Sequence, residues 1–383
     1  MNLVNGDTFS KRKAEDMKIV KIVLTGGPCG GKSTATEYIK EALHRLGYTV
    51  LYVNEAATEL IKGGIAPWTC GTHKDFQRAV FAIQRAKEKA VERAAVTMAD
   101  KDKILMICDR GALDNKAYLE EGEYASFLDD IQMSEAELRD SYDGVFHLVS
   151  AAEGAEAFYT TENNAARTET LEEARALDKR LLAAWVGHPH LRVIDNSTDF
   201  QGKMERLIQE ITALLGENRP YEIERKFLIE YPDISWLEAQ GNCRRVEIVQ
   251  TYLTSPEGEE IRVRQRSEGE HDMYFLTVKR KISEIKREET ERRITADEYL
   301  KLLMQADATR KQIRKSRFCM VYEHQYLEID VYPFWNHQAI LEVELPSEDA
   351  PVYLPEAFRV IREVTDDPGY KNAALAMMEQ SEL

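Results

Sequence analysis

The hydrophobic pattern divides the chain into two stretches of different rhythm. Up to about residue 216, short unbroken apolar runs alternate with longer segments whose apolar residues recur at helical spacing. Beyond residue 219, charged and apolar residues alternate with a period of two. The runs Lys18 to Thr25, Leu51 to Val53, Lys103 to Asp109, Tyr142 to Ser150 and Leu191 to Asp195 read as strands. Helices are expected over Lys32 to Leu46, Ala56 to Ile61, Asp75 to Met98, Leu171 to Val186 and Phe200 to Leu215. Strands alternating with helices predict an α/β domain with a parallel sheet over residues 18–216. Leu215 Gly216 Glu217 Asn218 Arg219 Pro220 ends a helix and restarts the chain. Residues 219–383 then predict an antiparallel, strand-rich second domain. Two domains suit a length of 383 residues. Residues 1–17 carry Lys11 Arg12 Lys13 among small and polar residues and read as a disordered tail.

The first strand runs into Gly26 Gly27 Pro28 Cys29 Gly30 Gly31 Lys32 Ser33, which matches G-x-x-x-x-G-K-[ST] between a strand and a helix. Glycines let backbone N–H groups converge on phosphate oxygens, Lys32 places a charge near the outer phosphates, and Ser33 suits Mg²⁺. Thr34 is counted with this nucleotide-binding run. Strand Lys103 to Asp109 ends in an acid, so Asp109 is expected to hold Mg²⁺ opposite Ser33, with Arg110 beside it to neutralise phosphate charge. Glu55 follows the second strand, where it faces a substrate or a metal-bound water, or acts as a first-turn acid of the next helix. Arg167 and Arg175 fall in a segment that fits a lid for phosphoryl transfer. Asn196 and Ser197, after the last strand, are placed to read the nucleotide base; equally, Ser197 to Asp199 suit a cap of the next helix.

In the second stretch, alternation sends Glu222, Glu224 and Lys226 to one strand face. Arg262 and Arg264, then Lys279, then Arg287 alternating with Glu289 and Glu291, continue the pattern, as do Arg314, the pair Glu328 and Asp330, and the pair Glu342 and Glu344; Lys371 follows near the end. So many strands with charges on one face and apolar residues on the other predict a closed or nearly closed barrel with a charged interior. Its basic residues would grip phosphates, and its acids would hold Mg²⁺ or Mn²⁺.

Composition narrows the field. The formal net charge of −16 argues against a general nucleic-acid surface. Five scattered cysteines without a C-x-x-C pair suit a reducing cytoplasm, and no signal core or membrane-length apolar run is expected. A cytoplasmic protein is therefore the expectation, with peripheral contact to phosphoinositides left open.

The first half resembles nucleotide kinase-like P-loop proteins, and more narrowly the AAA-type ATPase domain of ribosylnicotinamide kinases and of a fly channel-translocation protein. The features that carry this are Gly26 to Ser33, Glu55, Asp109 Arg110 Gly111 and the arginine-bearing lid. The resemblance implies ATP or GTP binding with Mg²⁺, and either hydrolysis or transfer to a small acceptor. The second half resembles the CYTH superfamily of triphosphate tunnel metalloenzymes, on Glu222 x Glu224 x Lys226, Arg262 with Arg264, Thr277 x Lys279, Arg314 and the two acidic pairs. That resemblance implies a metal-dependent phosphohydrolase acting on inorganic or organic triphosphates. The alternative is a nucleotide-regulated module whose tunnel binds a phosphorylated ligand such as a phosphoinositide.

Overall fold

The computed structural model describes residues 18–98, 103–159, 170–217, 223–256, 258–281, 287–345 and 349–377. The expected tail over 1–17 lies outside them. The chain divides into two units, Met1–Pro220 and Tyr221–Leu383.

In the first unit, five apolar runs form strands β1 (Lys18–Thr25), β2 (Thr49–Val53), β3 (Lys103–Asp109), β4 (Gly144–Leu148) and β5 (Leu191–Ile194). They make a parallel sheet in the order β2-β3-β1-β4-β5. Every residue of β4, and all of β3 but its two ends, is buried, as a sheet covered on both faces demands. The helices Lys32–Arg45 and Phe200–Leu214 pack their apolar sides onto one face, where Ile39, Leu43, Met204, Leu207 and Ile211 meet Ile22, Leu24, Leu105 and Phe146. β1 is central, so the loop that follows it opens between the ends of β3 and β4. Register pairs Leu24 with Asp109 and Thr25 with His147, which brings the three loops together.

The predicted helix at Asp75 begins earlier, at His73, because the Thr72 hydroxyl accepts from the Asp75 N–H and caps it. Likewise Asp199 accepts from the Gly202 N–H and starts the last helix, so the Ser197-to-Asp199 cap is realised through Asp199.

The second unit is a nine-stranded antiparallel sheet in the order β10-β9-β8-β7-β11-β12-β13-β6-β14. The strands are β6 (Glu224–Glu230), β7 (Cys243–Leu253), β8 (Glu259–Glu268), β9 (His271–Lys281), β10 (Arg287–Ile294), β11 (Ile313–Tyr322), β12 (Gln325–Val331), β13 (Gln338–Glu344) and β14 (Val360–Glu363). Among the described residues β10 and β14 remain its two edges, with no pairing that closes a ring. One face packs an apolar core around Phe227, Ile229, Leu237, Phe318, Met320, Leu327, Leu341 and Val343. Period-two alternation therefore turns the charged partners of these residues to the other face.

Candidate functional site

Two sites emerge, one in each unit. The first is built where β1, β3 and β4 end. Gly26 has a φ of 129°, and a Cβ there would fall 2.1 Å from the Leu148 carbonyl oxygen, so only glycine allows the loop to pass so close to β4. Lys32 turns back over the loop and donates to the carbonyls of Gly26 at 2.7 Å and Gly27 at 3.1 Å. Burial, then the neighbouring Arg110, pushes its ammonium down to about 8, against the pull of Asp109 and Glu55. Ser33 and Thr34 are exposed at the helix start.

The Asp109 carboxyl is raised, first by burial, and its Oδ1 is buried without a hydrogen-bond partner. A buried carboxylate oxygen left open beside a lysine is what a hard cation would complete, so this corner fits Mg²⁺ held by Asp109 and Ser33. Arg110 adopts a left-handed backbone, φ 69°, with its N–H donating to the Leu24 carbonyl at 3.0 Å. Strain of this kind in a non-glycine residue persists only where the surroundings enforce it. The Arg110 Nε donates to Glu55 Oε1 at 2.8 Å, while its Nη1 is buried and unpaired. Burial would raise the Glu55 carboxyl, but Arg110, the Thr58 hydroxyl and Lys32 outweigh it and hold it at about 2. The anionic form of Glu55 is thus favoured, and it accepts from Arg110.

Two further residues join this site. Asp178, on the helix Leu171–Trp185, accepts from the Gly27 N–H at 2.5 Å, and His147 at the end of β4 contacts its other oxygen at 3.2 Å. The His147 contact makes that histidine a buried support. Arg175 on the same helix ties down the segment after β4, donating to the Ala152 carbonyl at 2.5 Å and to Glu156 at 2.8 Å. Arg167 lies outside the described residues. Asn196 does not have the freedom that base reading requires. Its amide donates to the carbonyls of Ser150 and Glu153 at 2.8 and 2.7 Å, and its oxygen accepts from Lys203 at 2.8 Å. It fixes the loop after β5 instead.

The second site lies on the charged face of the nine-stranded sheet. Register sets Lys226 opposite Glu342, Glu342 opposite Glu328, and Glu224 opposite Glu344. Lys226 Nζ lies 2.9 Å from Glu342 and 3.0 Å from Glu224. Arg317 of β11 donates to both oxygens of Asp330 at 2.7 Å, reaches Glu342 at 3.1 Å, and also pairs with Glu328. Lys315, two residues earlier, pairs with Asp330. Burial would raise the Glu342 carboxyl, but Lys226, Arg317 and Lys315 hold it well below the carboxylate range. Burial pushes Lys315 down, helped by Arg317.

Farther across the same face, Arg264 of β8 donates to Glu291 Oε1 at 2.8 Å and stands 4.9 Å from the Phe275 ring centre. Thr277 donates to the other Glu291 oxygen at 2.7 Å. Burial lowers Arg264, and after the partly offsetting Glu291, the nearby Arg262 and Arg317 lower it further. The basic groups of β8 and β11 therefore feel one another across β7. Arg262 donates to Gln250 at 3.3 Å, and Lys279 sits opposite Glu260. The carboxylates here offer only oxygen donors, the set that a hard divalent ion takes, so they fit Mg²⁺ or Mn²⁺ chemically. No preformed cluster of three or more such ligands occurs among the described residues.

Four expected residues need correction or fall outside view. Arg314 is exposed on the opposite face of β11, because the strand begins at Ile313 and alternation turns Lys315 and Arg317 inward instead. Lys371 is exposed, immediately before the short helix Asn372–Leu375. Glu222 and the side chain of Arg287 lie outside what is described.

A P-loop α/β unit and an antiparallel sheet with a dense field of paired charges define a protein with two candidate phosphate-binding sites. A family model described as an AAA domain matches residues 21–203, and one described as a CYTH domain matches residues 220–373. An inorganic triphosphatase from Nitrosomonas europaea is 35% identical over 162 residues, which cover 41% of this chain and 97% of that protein. A crystal structure of an inorganic triphosphatase is similar at 31% identity, covering 42% of this chain and 98% of that one, with a TM-score of 0.30. A protein from Pyrococcus horikoshii shares 23% identity over 33% of this chain and 80% of its own, with a TM-score of 0.26. The chain belongs to the CYTH family through its C-terminal half, and carries an AAA domain ahead of it. No described helix is long and apolar enough to cross a membrane.

Proposed function

We propose that the C-terminal unit is a divalent-metal-dependent triphosphate hydrolase, and that the N-terminal unit binds ATP or GTP with Mg²⁺ and cleaves or transfers the γ-phosphate. The observation that carries the first reading is the single network in which Lys226, Lys315 and Arg317 share Glu224, Glu328, Asp330 and Glu342 on one sheet face. Buried charges on this scale are costly unless partners compensate them, and a fold needs no such cluster for stability. A linear triphosphate offers the lysines and arginines new partners, while a hard cation held by the carboxylates would neutralise the phosphate oxygens. In hydrolysis, a water oxygen bonds to the terminal phosphorus as the bridging P–O bond breaks. Pyrophosphate and orthophosphate leave, and the proton goes to solvent. Arg264 and Arg317 are suited to stabilise the charge that gathers on the leaving bridge oxygen. The family relative named as an inorganic triphosphatase makes the inorganic compound the first substrate to try.

For the N-terminal unit, the support is the open Asp109 oxygen next to Lys32 and the exposed Ser33. The test is a panel of inorganic triphosphate, ATP, GTP and inositol phosphates with Mg²⁺ or Mn²⁺, incubated with the full chain and its Lys32→Ala and Lys226→Ala variants. Loss of triphosphate cleavage in Lys226→Ala alone, and of nucleotide cleavage or binding in Lys32→Ala, supports the two assignments. If inositol phosphates bind without any phosphate release from any substrate, the enzymatic reading of the charged face fails and a binding module takes its place.

A further inference from the structure

Phe200 lies beside the nucleotide loop and has no part in the chemistry described so far. It opens the helix Phe200–Leu214 after β5 and is 45% exposed. Its ring edge rests against the loop, since a Cβ at Gly31 would fall 2.9 Å from Phe200 Cε2. Tyr38, on the helix that follows the loop, braces the ring edge-on, with centroids 6.3 Å apart and planes at 79°. The connection that presents Phe200 is held from several sides. Arg206 donates to the Asp195 side chain at 2.7 Å and to the Asp195 carbonyl at 2.8 Å. Asp199 accepts from the Gly202 N–H at 2.8 Å, and Asn196 is fixed as described.

An exposed aromatic ring on a rigid seat is therefore placed next to Gly31, Lys32 and Ser33, at the end of the sheet where α/β ligands bind. The Asn196 amide, after β5, has both N–H groups committed to backbone carbonyls, and the Gln201 amide beside Phe200 donates to Glu205 at 2.9 Å. We propose that Phe200 is the platform on which the purine of a nucleoside triphosphate stacks, and that this stacking, rather than hydrogen-bond readout, holds the base without selecting between purines. Every base has a π-face, so ATP and GTP are held alike. This inference rests on the P-loop reading of the N-terminal unit.

The test is calorimetric titration of the full chain with ATP and with GTP in Mg²⁺, for the wild type and for Phe200→Ala, Phe200→Trp and Lys32→Ala. The binding heat that Lys32→Ala removes is that of the P-loop. Phe200→Ala should weaken that component for both nucleotides by roughly 5- to 150-fold, the range that stacking of one base spans. Phe200→Trp should restore both affinities, and its added fluorescence should be quenched by ATP and GTP but not by inorganic triphosphate. Unchanged affinities in Phe200→Ala, or a loss confined to one of the two nucleotides, would overturn the proposal. If Lys32→Ala also binds both nucleotides as the wild type does, the P-loop reading falls with it; if Lys32→Ala loses binding while Phe200→Ala does not, only the platform falls.

Discussion

Replacing Arg317 by Met removes the hub of the charged face while keeping most of the side chain's volume. The guanidinium contacts Asp330 twice at 2.7 Å and Glu342 at 3.1 Å, and pairs with Glu328 as well. Asp330 has no exposed surface, so its charge cannot turn to water when the guanidinium goes. Breaking a buried pair from one side costs roughly 3–5 kcal/mol, because the partner is left without compensation. For a unit of this size each kcal/mol moves the midpoint by about 2–4 °C, which predicts a fall of roughly 6–20 °C in the C-terminal transition. Thermal and urea unfolding of the full chain, with hydrogen exchange on β11 to β13 to assign the transition, would measure it. Glu342 supplies a pH signature. Its carboxyl is held low in the folded state, so it contributes stability above the unfolded pKa, and that contribution is lost as pH falls through the folded pKa. Arg317→Met has less of this contribution to lose, so its deficit against the wild type should narrow below about pH 4.5. The double variant Arg317→Met with Asp330→Asn should cost less than the sum of the single changes. A deficit under about 1 kcal/mol that does not vary with pH, with additive single effects, would refute the description of Arg317 as a shared hub.

Other consequences can be measured separately. Lys32 is lowered to about 8, so nucleotide affinity measured by calorimetry should be flat below that pH and decline above it as the ammonium is lost; a constant affinity to pH 9.5 would contradict the role of its charge. Arg110→Met should let the Glu55 carboxyl rise from about 2 toward the ordinary value near 4.3, read by a side-chain NMR titration. In the wild type the lowered Glu55 stabilises the fold above the unfolded pKa, and that stability drains as pH falls toward 2, so the variant should show a shallower acid limb. Arg314→Ala, on the exposed face, should leave triphosphate cleavage within about twofold of the wild type, whereas Lys315→Ala should reduce it by at least tenfold; equal losses would place both on the substrate face.

Local pattern revealed those features that depend on local geometry. The P-loop is legible because its glycines occupy positions where a Cβ or a negative φ cannot fit, as at Gly26, and sequence spacing encodes that requirement directly. Parallel strands announced themselves as unbroken apolar runs, and Glu224 with Lys226 as alternating residues of one strand. The difficulty at β11 was its starting point. Read from Phe318, the strand gives no reason to prefer Lys315, and Arg314 stands out as a cation; begun at Ile313, the same alternation sends Lys315 and Arg317 inward and Arg314 out. Asp178 could not be read at all, since it meets Gly27 across 151 residues of sequence and nothing in its helix distinguishes it from other acids. Asn196 is hard to read from sequence for a related reason. Its strand-end position suits base recognition, but the carbonyls that consume its amide come from a distant loop.

The central claim is that the charged face around Lys226 and Arg317 is a site for triphosphate hydrolysis. Its most direct test is orthophosphate and pyrophosphate release from inorganic triphosphate by the full chain with Mg²⁺, compared with Lys226→Ala and Glu224→Ala. The expected result is metal-dependent release of both products in equal amounts by the wild type, reduced at least a hundredfold in each variant. Release by either variant at the wild-type rate, or none by the wild type with Mg²⁺ or Mn²⁺, would contradict it.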